Sequence, residues 1–218
     1  MYDMRVAHSV SLFVAVLLAL SASVLQGSEA LSALKSKAES GDVEAQSQLA
    51  WAYFQGRGVE ANPALALRWA TKPAEQDDLF CVQMVAMIHF QGMGVKRDLP
   101  EASKWFAKAA ILGDANAAFT LGLMNDEGMG IPKNAVEAFA WYEVSKTLSR
   151  DVAATDKYAA ALEKKLTSKQ VEAAKGRAAE ILKLVGRKKD ELYEKRLAIM
   201  KAANPQMPIE ELRKQLPR

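Results

Sequence analysis

Through the middle of the chain apolar residues recur at helical spacing in stretches of 13 residues, each opened by an aspartate and closed by a Gly-x-Gly. The stretches after Asp42, Asp78 and Asp114 predict helices over 43–55, 79–91 and 115–127. The aspartate side chain caps orphan amides of the first turn. The first glycine of GRGV (Gly56 to Val59), GMGV (Gly92 to Val95) and GMGI (Gly128 to Ile131) takes the positive φ that ends a helix, and the Val or Ile folds back on its end. A second helix then opens at Asn62, Asp98 or Asn134, with Pro63 at the first helical position of its unit. It carries Trp69, Trp105 or Trp141, which the pattern assigns to the core. All these columns recur at an interval of 36, as do Leu49, Val85 and Leu121. A fixed period over so many columns predicts an array of helix pairs, in which neither helix buries its apolar face alone.

The residues GD.EAQ.QLA..Y..GRGV...P..AL.W in the first unit, with D..AS.WFAKAA..GDA and N.VEAFAWY in the later ones, resemble the Sel-one-like repeat, a relative of the tetratricopeptide repeat. The resemblance covers units at about 38–73, 74–109 and 110–145, and Leu162 to Ala178 is similar to the helix that closes such arrays in bacterial members. It implies an all-α fold, an α/α superhelical solenoid of tetratricopeptide-like helix pairs with a C-terminal helical extension. It implies no single activity, because a fold does not choose a function.

The flanks divide further. Residues 9–25 carry no charge and follow Arg5, which reads as a secretory signal peptide over 1–30, with an N-terminal anchor over 6–28 as the competing reading. The expected location is periplasmic or secreted. Leu31, Leu34 and Ala38 share one helical face and predict a half-unit cap. Pro73 predicts an early end or a kink of its helix near Thr71. Residues 146–186 read as capping helices, with a helix over 153–166 and a Thr167–Gln170 capping box opening a long helix. Val171, Ala178, Val185, Leu192 and Ile199 recur every seven residues, while the accompanying column passes from Ile181 to Lys188 and Lys195. Residues 187–218 read as a basic helical tail, stopped at Pro205 and Pro208 with one short turn beyond.

Charge sharpens this picture. Residues 164–218 hold 15 Lys and Arg against 7 Asp and Glu, a net of +8, whereas residues 31–163 carry about −4. The basic tail suggests an anionic polymer or a membrane surface as a partner of residues 187–218, or a solvated helix face. Nucleic acid is disfavoured by the expected export and by the lack of aromatics among the basic residues other than Tyr193. No cofactor motif is present: the Gly-x-Gly turns lack the strand and the lysine of a phosphate loop. Beyond residue 30 only Cys81 and His89 remain of their types, too few for a zinc site or a conventional triad. Cys81 aligns with Ala45 and Ala117 and reads as a buried thiol, which separates the chain from the cysteine-rich branch of the family. Asp77–Asp78 and Asp126–Glu127 read as caps and solvated ends, the latter turning the end of the third unit acidic.

What remains is a surface. In arrays of the resembled kind the first helix of each pair lines the concave side, where ligand peptides lie. That analogy nominates Gln48, Trp51, Phe54 and Gln55, then Met84, Met87, Phe90 and Gln91, then Phe119 and Leu123, as contacts for a protein or peptide partner. Trp51, Met87 and Leu123 equally suit packing against the neighbouring helix, which leaves Phe54 and Phe90 as the better groove candidates. The expected role is a non-catalytic adaptor or scaffold of the cell envelope. The alternatives are a structural or regulatory part of an envelope machine for secretion, polysaccharide export or flagellar assembly, docked through the basic helix, and an envelope hydrolase resting on His89 alone.

Overall fold

The computed structural model describes residues 29–216, and all regular structure among them is helical. The elements are α1 (29–39), α2 (Val43–Gln55), α3 (Pro63–Glu75), α4 (Leu79–Gln91), α5 (Leu99–Ile111), α6 (Ala115–Glu127), α7 (Ala135–Leu148), α8 (Ala153–Glu163), α9 (Ser168–Ala203) and α10 (Ile209–Gln215). The leader expected over 1–30 lies outside the described residues except for Glu29 and Ala30. The first helices of the three pairs have the expected bounds. The chain divides into two compact units after Cys81.

In the first unit α2 packs on α3. Ala38, Ala45 and Leu49 form a buried cluster against which Leu31, Leu34, Tyr53 and Trp69 pack, so α1 does close this end as a half-unit. Pro73 does not end α3, which continues to Glu75. A proline inside a helix loses one amide and crowds the turn before it. Here it lies two residues from the end, and its carbonyl is the atom the terminus needs: the Asp78 amide donates to the Pro73 carbonyl at 3.1 Å. Lys37 and Ala109 receive the same bond from Asp42 and Asp114, at 3.2 and 3.0 Å. Asp77 holds φ at 70° where the sister turns have Gly41 and Gly113 at 97° and 101°.

In the second unit α5 packs on α6, α6 on α7, and α7 on α8. The long helix α9 lies on α7 and α5 and carries α10 at its far end. It is 36 residues long, a rod of roughly 54 Å, opened by the expected capping box at Thr167. No break occurs at residue 186, so the expected division between capping helices and tail coincides with no structural boundary. Ala174, Ala178, Ile181 and Val185 form its buried stripe. Ile199, which continues the sevenfold pattern, is 61% exposed because α7 and α5 bury the stripe only as far as Val185, while Leu197 is buried and α10 packs on this end of the helix. The short turn after Pro208 is the ordered helix α10, anchored by Leu212, and Lys201 Nζ donates to the Pro205 and Met207 carbonyls at 2.9 and 2.8 Å. Lys146 ties α8 to α7, reaching Glu143 at 3.1 Å and Asp156 at 3.0 Å; the bond to Asp156 is the main cause of its raised pKa.

One device recurs in the pairs. The amides of Asn62, Asp98 and Asn134 donate to the carbonyls of Tyr53, His89 and Asn125 at 2.8, 2.9 and 2.9 Å, fastening each Gly-x-Gly turn to the helix it leaves. The cap aspartates do double duty. Asp78 accepts from the Cys81 amide at 3.0 Å and from Ser47 Oγ at 2.8 Å; Asp114 accepts from the Asn116 amide at 2.9 Å and from Gln83 Nε2 at 2.7 Å. Ser47 and Gln83 share one column, so each first helix grips the cap of the next. The third member of that column is Phe119, and the next cap position holds Arg150. The grip stops there, and Ser145 Oγ instead donates to the Ala115 carbonyl at 2.9 Å.

Candidate interaction surface

The nominated residues of α2 divide by exposure. Gln48 and Gln55 are exposed, while Trp51 and Phe54 are half-buried and stacked at 6.2 Å between ring centroids. The edge of Phe80 meets Trp51 at 4.3 Å and remains 45% exposed, completing a three-ring patch in the first unit. Sequence reasoning missed Phe80 because its column holds Glu44 and Asn116 in the other units.

In the second unit Met84 is only 4% exposed, so its nomination as a contact is corrected: it is core. The column holds Gln48 and Thr120 elsewhere, so periodicity alone did not mark it as buried. Met87 is exposed and its sulfur accepts from Gln91 Nε2 at 3.0 Å. Phe90 is half-buried and its ring is already engaged. Phe106 meets it edge-on at 5.6 Å, Arg97 lies over it at 5.7 Å, and Arg97 Nε donates to its carbonyl at 2.8 Å. The nominated residues of α6, Phe119 and Leu123, are both half-buried. Phe119 belongs to a ring cluster with Tyr142 at 5.8 Å and Tyr158 at 5.4 Å, the two tyrosines lying 6.0 Å apart. Tyr158, 42% exposed, comes from α8 and so lies outside the repeat pattern.

Tyr142 is fully buried, and its hydroxyl has no hydrogen-bond partner among the described residues. Burial, then the charges of Asp126, Tyr158 and Glu127, push its pKa above the ordinary phenol range. The ring lies flat over Gly122, in a column that holds Ala50 and Ala86 in the other units. Of the tryptophans assigned to the core, Trp141 is buried but Trp69 and Trp105 are half-buried beneath Arg68 and Lys108, 5.9 and 5.7 Å from their rings.

Cys81 is buried, and burial is the main cause that pushes its pKa up to about 12, so it is held as an inert thiol. His89 is half-buried, its Nδ1 has no partner among the described residues, and its carbonyl serves the turn. Among the described residues, no group of three or more His, Cys, Asp or Glu side chains is placed to hold a metal ion. The basic excess is shared between the two segments. Residues 164–186 hold 6 Lys and Arg against 2 Asp and Glu, and residues 187–218 hold 9 against 5. Half of the excess therefore lies before residue 187, ahead of the expected tail. Among the described residues no helix is long and apolar enough to cross a membrane.

Comparison with known proteins agrees with this architecture. The family model of the Sel1 repeat matches residues 43–78, 83–114 and 115–145. A Sel1 repeat protein of known structure from Oxalobacter formigenes is 32% identical with a TM-score of 0.51, over 60% of this chain and 96% of that one. A protective antigen of uropathogenic Escherichia coli with an SLR fold is 26% identical with a TM-score of 0.46, over 76% of this chain. The match spans 43% of the antigen's chain, less than half of its length. Comparison with curated protein sequences finds no match. The chain is an all-α protein of tetratricopeptide-like helix pairs. It belongs to the Sel1 repeat family, whose members are typically non-catalytic scaffolds for protein–protein interaction.

Proposed function

We propose that this protein is a non-catalytic adaptor that holds a segment of a partner protein on the exposed face of the first helix of its pairs, and that it works in the cell envelope. The observation that carries the reading is the partly exposed aromatic patch of α2 and α4, the half-buried Trp51 and Phe54 with the exposed Phe80, bordered by Gln48 and Gln55. Aromatic rings offer a large contact area at small entropic cost, and glutamine side chains at the rim can pair with an extended peptide backbone. The envelope location rests on the uncharged run after Arg5.

The test is crosslinking in the native cells followed by affinity recovery, comparing the full chain with a Phe54→Asp, Phe80→Asp variant. The expected result is one stoichiometric protein partner that is lost in the variant while its helical circular dichroism is unchanged. Equal recovery with both proteins, or no protein partner, refutes the adaptor reading. Fractionation of the same cells tests the location: recovery in the cytoplasmic fraction refutes it.

A second reading, docking of an envelope component on an anionic polymer or membrane surface, is supported by the exposed Lys169, Lys183 and Arg187 of α9. A Lys183→Glu, Arg187→Glu variant would then release the protein from its own envelope fraction, and unchanged retention would refute it.

A further inference from the structure

The third pair ends in an arrangement that costs free energy as it stands. Asp126 and Glu127 occupy the last turn of α6, which contains no basic residue. The carbonyl end of a helix already carries partial negative charge, so two carboxylates there are unfavourably placed. Neither side chain pairs with a cation or accepts a hydrogen bond among the described residues. Beside them lies a second unfulfilled group, the Tyr142 hydroxyl, buried without a partner among the described residues. A buried phenol oxygen left without a partner is a penalty that proteins seldom retain without use, and its lone pairs can accept from a cationic donor. Its ring spans Gly122, one helical turn before Asp126, and the two carboxylates lie close enough for their charge to be felt at the phenol. Phe119 and Tyr158 flank it, the latter 42% exposed, and the half-buried Leu123 continues the apolar surface along α6.

We propose that the Asp126–Glu127 end of α6, with Phe119, Tyr142 and Tyr158, takes a lysine or arginine side chain of a partner protein segment whose neighbouring residue is apolar. The carboxylates supply the counter-charge, the exposed ring of Tyr158 gives the aliphatic stem and the cation a face to lie on, and Leu123 receives the apolar neighbour. The cation also relieves the repulsion between the carboxylates and the helix terminus, so charge complementarity selects a basic segment over an acidic or neutral one. This inference rests on the adaptor reading and adds the chemistry of the partner.

The test uses the full chain as bait for a phage-displayed library of random peptides, with the Asp126→Asn, Glu127→Gln protein as counter-bait. The variant side chains keep their shape, and the variant should melt no lower than the wild type, since repulsion at the terminus is removed. Peptides recovered on the wild type should carry Lys or Arg next to an aliphatic or aromatic residue. They should bind the variant about tenfold more weakly, and a Tyr158→Ala protein should also lose affinity. Recovery of no peptide, of peptides without basic enrichment, or of basic peptides whose affinity changes by less than about twofold overturns the proposal. Peptides without Lys or Arg that are lost on Phe54→Asp overturn it while leaving the adaptor reading in place. That reading fails separately, by the absence of a native crosslinked partner.

Discussion

Replacing Gly122 by alanine tests the packing beneath the third pair. In an ordinary helix the change stabilises by about 1 kcal/mol, because alanine orders at lower entropic cost. At this position a Cβ would stand 3.0 Å from Tyr142 Cζ and still closer to two other ring carbons. The ring has little room to retreat: Tyr142 is fully buried, with Phe119 and Tyr158 at 5.8 and 6.0 Å. Overpacking of a core costs about 1–3 kcal/mol, and the immobile ring argues for the upper part of that range. The net expectation is a loss of about 1–2 kcal/mol, read as a lower urea midpoint by circular dichroism and tyrosine fluorescence. Tyr142→Ala alone should cost about 3–5 kcal/mol through the cavity it leaves. In that background Gly122→Ala should become stabilising by about 1 kcal/mol, since only helix propensity remains. The double variant places alanine in both columns, as the first pair does with Ala50 and Ala70. A Gly122→Ala protein more stable than the wild type, or a penalty that persists without the tyrosine ring, would refute the packing argument.

Other expectations follow from the same structure. Gly176 and Gly186 stand inside α9 with nothing within 4 Å of the point a Cβ would occupy, so Gly→Ala at each should raise stability by about 1 kcal/mol in urea unfolding. Asp42→Ala removes a single cap bond and should cost about 1 kcal/mol, whereas Asp78→Ala also releases Ser47 and should cost about 2, measured in the same way. The Cys81 thiol has a folded pKa pushed up to about 12, so the folded state favours the protonated form. Its contribution to stability is complete below the unfolded thiol value, about 8.5, and falls as pH rises from there toward the folded value. Wild type minus Cys81→Ala stability should therefore decline between pH 8 and 10, and a flat difference refutes it; alanine already occupies this column at Ala45 and Ala117.

The sequence made the helix pairs legible because each cap, turn glycine and apolar column recurs, so one ambiguous unit is read from its sisters. Failures arose where units differ or repetition ends. Pro73 has the form of a breaker, yet its carbonyl receives the terminal bond of α3. Met84 and Phe80 each depart from their columns, and the pattern weighted the column over the residue. Ile199 keeps its sevenfold spacing after the buried stripe has ended. The acidic turn at Asp126 and Glu127 is visible in the sequence, but its significance depends on Tyr142 and Tyr158, which come from α7 and α8 and become neighbours only in the folded chain.

The paired use of Asp78 and Asp114 bears on how such a chain can lengthen. Because a first helix grips the cap aspartate of the pair that follows, a tandem duplication of 36 residues between 43 and 114 would reproduce both ends of that contact. A copy appended after Ser145 would bring its own cap aspartate to position 150 but would find Phe119 in the gripping column, which has no donor to offer it. Growth by gene duplication thus keeps the contact in the interior and loses it at the C-terminal side, through one side chain.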